Sequence, residues 1–94
     1  MIILNVYYEA KTGQRDEYMK AVAAAGIPEK SRAEAGNVKY DYYLSEQNPD
    51  EVLLVEHWKD DAGYQFHKEQ DYFQLLQDIK QKYVKNVHID SMNL

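Results

Sequence analysis

Cysteine is absent from the 94 residues. That excludes a disulfide framework, a thiolate metal site and a cysteine nucleophile. Prolines number only two, and the four glycines stand apart at 13, 26, 36 and 63. No linker and no glycine-rich phosphate loop can be built from them. Basic runs are missing as well: residues 1–47 hold seven acids and six bases, and 48–94 hold nine acids and five bases. The net charge of −5 and the lack of a basic stripe make nucleic acid a poor partner. The longest apolar stretches, Met1–Leu4 and Val52–Val55, are far too short to span a bilayer. No cationic segment precedes an apolar one, so no secretory leader is expected. The histidines, at 57, 67 and 88, lack metal-ligand spacing, and no Ser–His–Asp arrangement is visible. These absences leave one small soluble domain over 1–94, expected in the cytoplasm and without a membrane partner.

What is present is aromatic and periodic. Nine tyrosines suit half-buried positions and the walls of small-molecule pockets. Residues 2–8 read as a strand of β-branched and aromatic types, broken at Lys11-Thr12-Gly13. Helical spacing runs from 14 to 34, with a kink or restart expected at Pro28. Strands follow at 38–45 and 51–58, joined by a turn around Pro49. Asp60 is placed to cap a helix over 61–68, and Asp71 one over 72–83; a last strand covers 84–92. The order β-α-β-β-α-α-β predicts an α+β, ferredoxin-like, four-stranded antiparallel sheet with helices on one face. The first and third strands carry apolar residues on both faces, and one helix layer covers only one. A second copy of the sheet is the simplest cover for the other, so a homodimer is expected.

The run from Ser31 to Tyr40 is followed by Val55-Glu56-His57-Trp58-Lys59-Asp60-Asp61-Ala62, then Phe66-His67, then Phe73. This pattern resembles the antibiotic biosynthesis monooxygenase superfamily of dimeric α+β barrels. The resemblance covers essentially the whole chain. It implies a homodimer with a pocket between sheet and helices in each subunit. Its branches oxidise polyketides or small quinols with O2 and no cofactor, process a phosphorylated autoinducer sugar, or degrade haem; others have no established activity. The haem branch carries tryptophan where this chain has His67, and its iron-ligating histidine where this chain has Gln77. An amide is a poor haem ligand. With no cysteine and no close histidine pair either, the expectation is neither cofactor nor metal.

On these grounds His67 is the candidate general base, since imidazole exchanges protons near pH 7. Asn5, an amide inside an apolar strand, is the candidate donor to a substrate anion. Tyr40, Trp58, Phe66 and Phe73 are the expected walls, and Asn5 and His67 are expected to face one cavity. His57 should point to the opposite sheet face from Trp58, and His88 should be solvated. Glu34 and Glu56 have no partner visible in the sequence. The leading reading is a cofactor-independent monooxygenase acting with O2 on a small phenolic or quinol-like substrate. The rivals are an isomerase of a small phosphorylated sugar, with Lys30, Arg32 and Lys68 as phosphate ligands, and a non-catalytic ligand-binding module.

Overall fold

A computed structural model describes residues 1–94. Its elements run β1 (Ile2–Ala10), α1 (Arg15–Ala24), α2 (Ile27–Arg32), β2 (Asn37–Leu44), β3 (Glu51–Trp58), α3 (Asp61–Lys68), α4 (Asp71–Tyr83) and β4 (Val84–Asn93). The sheet has the order β2-β3-β1-β4, and every pairing is antiparallel. Each helical crossover therefore connects strands separated by a third, which is the expected ferredoxin-like plan.

The predicted 14–34 helix is two helices. Gly26 breaks it with a φ of 68°, a left-handed value that glycine adopts without a Cβ clash. Pro28 stands in the first turn of α2, where its missing N–H costs nothing. The helix also stops at Arg32, leaving 33–36 as the corner into β2. Asp60 caps α3 as predicted, its carboxylate accepting from the Gly63 N–H at 2.8 Å. Asp71 is not a cap: it is the first helical residue of α4, and Gln70 precedes it without a side-chain cap bond. There its charge still favours the helix N-terminus.

Strand alternation decides which residues meet the helices. In β1 the even positions Leu4, Val6, Tyr8 and Ala10 are buried, as are Val52, Leu54, Glu56 and Trp58 in β3. They pack with Tyr18 and Val22 of α1, Ile27 of α2 and Leu76 of α4. The odd positions Ile3, Asn5 and Tyr7 lie on the other face, beside Leu53, Val55 and His57. None of the four helices covers that face.

Candidate active site

Between the helix face of the sheet and helices α3 and α4 lies a cavity of about 300 Å3. Its wall includes Tyr40, Glu56, His67, Phe73, Gln77 and Lys80, with Val87 and Ile89 of β4 along one side. His67 sits in the last turn of α3 and is only 2% exposed. Its ring is held by aromatic contacts. The Trp58 ring lies 4.6 Å away centroid to centroid, Phe73 stands edge-on at 5.4 Å, and Tyr40 is at 5.9 Å. Both ring nitrogens face carboxylates. Nδ1 is 2.7 Å from Glu34 Oε2, and Nε2 is 4.0 Å from Glu56 Oε1.

Each acid is itself held. The Tyr72 hydroxyl donates to the same Glu34 oxygen that faces His67. The Trp58 indole N–H donates to Glu56 Oε1 at 3.1 Å. Burial pushes the Glu56 carboxyl up to about 7, against the Trp58 hydrogen bond and the positive charge of Lys80, which favour ionisation. Burial lowers His67, while the bond to Glu34 and its charge oppose the shift. Lys80 is likewise lowered by burial, with Glu56 pulling the other way. The site thus holds an acid whose ionisation burial moves toward neutral pH beside an imidazole whose charged form burial disfavours. Groups so tuned are suited to accept and release a proton.

A tyrosine cluster backs this cavity. Tyr8 and Tyr18 have ring centroids 5.6 Å apart, and Tyr40 and Tyr42 5.9 Å. The hydroxyls of Tyr18, Tyr40 and Tyr42 are buried without a hydrogen-bond partner. Burial raises all four phenols, and neighbouring ionisable groups add to it for Tyr8, Tyr40 and Tyr42. They stay protonated, so each unpartnered hydroxyl is a donor.

Of the residues singled out in the sequence, His67, Tyr40 and Phe73 converge on the cavity. Trp58 packs behind His67 and holds Glu56. Two expectations are corrected. Asn5 pairs with Val55 and Asp90 on the open face, so the sheet separates it from His67. Period two does share a face among Ile3, Asn5 and Tyr7, but the helices cover the even face instead. Phe66 is 54% exposed and lines an outer groove of about 630 Å3, with Lys30, Glu34 and Lys59 among its neighbours. Helical spacing explains this: adjacent residues on α3 point about 100° apart, and His67 takes the inward direction. His57 lies on the open face, paired with Ile3 and Lys39. The His88 side chain is 72% exposed, as expected, with Nε2 2.9 Å from Asp90 Oδ1.

The three cations considered for a phosphate lie outside the cavity. Lys30 borders the outer groove, Arg32 Nε donates to the Tyr40 carbonyl at 2.8 Å, and Lys68 Nζ lies 4.5 Å from the Tyr64 ring centroid. The cation in the cavity wall is Lys80, which is not among the residues singled out in the sequence. Glu34 and Glu56 were missed as site residues too. Glu56 did leave a signal, as the one acid in the register Val52, Leu54, Glu56, Trp58. Glu34 left none, because its partner lies 33 residues away on α3.

Fold and sequence together define the class. The chain belongs to the antibiotic biosynthesis monooxygenase family, whose profile matches residues 1–78. Family membership supports a general monooxygenase-like function, and the resemblance noted in the sequence holds. Among curated relatives, the chain is 35% identical over 74 residues to the "Putative monooxygenase YcnE" of Bacillus subtilis (strain 168). That match covers 79% of this chain and 76% of the relative. Among solved structures, the protein PA3566 of Pseudomonas aeruginosa is 26% identical with a TM-score of 0.86, covering 99% of this chain and 92% of that one. The "Putative antibiotic biosynthesis monooxygenase" of Nitrosomonas europaea is 22% identical and shares the fold at a TM-score of 0.89, over 100% and 98% of the two chains. No helix is long and apolar enough to cross a membrane.

Proposed function

We propose that the cavity oxygenates a small phenolic or quinol-like substrate with O2 and without a cofactor, in a cytoplasmic homodimer. The observation that carries this reading is His67: fully buried, lining the cavity, with a carboxylate at each ring nitrogen. His67 takes the phenolic proton. The electron-rich anion passes one electron to O2, giving a substrate radical and superoxide, which combine at a ring carbon. The resulting peroxide takes up a proton and loses water, leaving a quinone. One oxygen atom enters the product and the other leaves in water, so the substrate supplies all the electrons.

The anion-holding role expected of Asn5 passes to groups in the cavity wall. Tyr40 offers an unpartnered hydroxyl, and Lys80 offers positive charge. Phe73 and the Trp58–His67 stack make the surroundings apolar, which strengthens both interactions. The open face of β1 and β3, with Ile3, Tyr7, Leu53 and Val55, supports the dimer, since no helix of the chain covers it.

The test is oxygen consumption by the purified protein across a series of small dihydroxyarenes, followed by 18O2 labelling of the product. One labelled oxygen in the quinone, lost in His67→Gln, is the expected result. Consumption no faster than that of the His67→Gln variant across the whole series would reject the reading.

A further inference from the structure

We infer that Glu34 is the positioning residue of this site. Its carboxylate holds His67 in the tautomer that carries its proton on Nδ1, so the bare Nε2 is turned to the cavity. The inference rests on the base role proposed above and names what governs it.

The argument starts from the acceptor. Glu34 Oε2 lies 2.7 Å from His67 Nδ1 and also receives the Tyr72 hydroxyl. A carboxylate oxygen carries lone pairs only, so the ring atom facing it at that distance must bring the hydrogen. A neutral imidazole has one N–H. Once that is committed to Glu34, Nε2 is left with a free lone pair. Nε2 is the nitrogen on the side of Glu56, which also lines the cavity. The charged and titratable groups around the ring are Glu34 from the α2–β2 corner, Tyr40 from β2, Glu56 from β3, and Tyr72 and Lys80 from α4. Among them only Glu34 makes a short contact with the ring.

The hold is directional. The Glu34 side chain is 5% exposed, and its second oxygen, Oε1, is buried with no hydrogen-bond partner. Every hydrogen bond of this carboxylate runs through Oε2, to one imidazole and one phenol from two different helices. Tyr72 thereby fixes the carboxylate, and the carboxylate fixes the ring. An acid placed merely to fill space would not converge two donors on one oxygen. The opposite tautomer would set a ring lone pair against the carboxylate and leave a buried N–H directed at Glu56 across 4.0 Å, beyond hydrogen-bond range.

Nitrogen-15 NMR of histidine-labelled protein, without substrate, reads the tautomer from the long-range proton couplings of each ring. The wild type is expected to show His67 protonated on Nδ1. Glu34→Gln keeps an acceptor oxygen and should keep that tautomer. Glu34→Leu removes the acceptor and should move the proton to Nε2, with kcat on the best phenol falling about 10–100-fold and KM little changed. A wild-type ring protonated on Nε2 overturns the inference with no variant needed. So does a Glu34→Leu ring that stays protonated on Nδ1, whatever its thermal stability. If the tautomer moves as expected while no phenol is turned over, the positioning role stands and the oxygenase reading falls. If phenols are oxygenated and the tautomer ignores residue 34, the reverse holds.

Discussion

Gly36 and Gly63 pack backbone against backbone: a methyl group on Gly36 would come within 2.7 Å of the Gly63 Cα. The Lys59 N–H donates to the Gly36 carbonyl at 2.9 Å and closes the same seam. This contact brings the α2–β2 corner, with Glu34, against the start of α3, with His67 one turn further on. Gly36→Ala must push the two backbones apart, and should cost about 1–3 kcal/mol in urea unfolding. A loss below a few tenths would mean that the seam yields freely.

Replacing His67 should separate chemistry from packing. Removal of a general base typically costs about 10²–10⁴-fold in rate. Because the ring is wedged between Trp58 and Phe73, His67→Ala should also lose about 2–4 kcal/mol of stability. His67→Gln fills more of the space and should unfold at a temperature between those of the wild type and the alanine variant. Calorimetry of the three proteins checks the ranking.

Glu56 makes stability depend on pH in a definite direction. Its folded value, about 7, lies above the unfolded carboxyl near 4.5, so the folded state holds the extra proton between those values. The stabilisation is complete below pH 4.5 and is lost as pH rises through 7. A shift of this size corresponds to roughly 3 kcal/mol. Glu56→Gln keeps an acceptor for Trp58 and has no charge to bury. It should stabilise the protein at pH 8 and do much less at pH 5, as thermal unfolding at the two pH values will show. His67 acts in the opposite sense, since its lowered value removes stability as pH falls below about 6.5. Comparing wild type with Glu56→Gln isolates the carboxyl.

Tyr18 carries a buried hydroxyl with no partner and does not line the cavity. Tyr18→Phe removes an unsatisfied polar group while keeping the ring, and should raise the unfolding free energy by about 1 kcal/mol. Tyr40→Phe should stabilise similarly but slow turnover, because Tyr40 does line the cavity. Equal turnover by Tyr40→Phe and the wild type would remove Tyr40 from the anion-holding role.

The open sheet face can be tested with one residue. Val55 pairs with Asn5 and Asp41 at its centre. Val55→Lys places a charge there and should yield a monomer in sedimentation velocity at micromolar concentration, where the wild type is expected to be a dimer. The far side of β3 carries Leu54 and Glu56, so the cavity should keep its shape.

Element order was legible in the sequence because period-two strands and capped amphipathic helices are local signals. Asp60, Pro28 and the break near Gly13 act within a few residues of themselves. The facing of β1 was not legible. Both of its faces are apolar enough to be buried, and only the packed helices choose the even one. Asn5 was misplaced for that reason. His67 was readable as a reactive residue type at a family position. Its partners were not, since Glu34 reaches it through a glycine seam formed by residues 27 apart.

Trp58 is the only tryptophan in the chain and is fully buried. Its indole N–H is bonded to Glu56 and its ring lies against His67, so the molecule carries an optical probe inside the candidate site. Emission from this one fluorophore reports proton gain or loss at either neighbour and arrival of a quenching quinone, with no label and no background from other indoles. The protein's own light can therefore follow ligand binding independently of turnover.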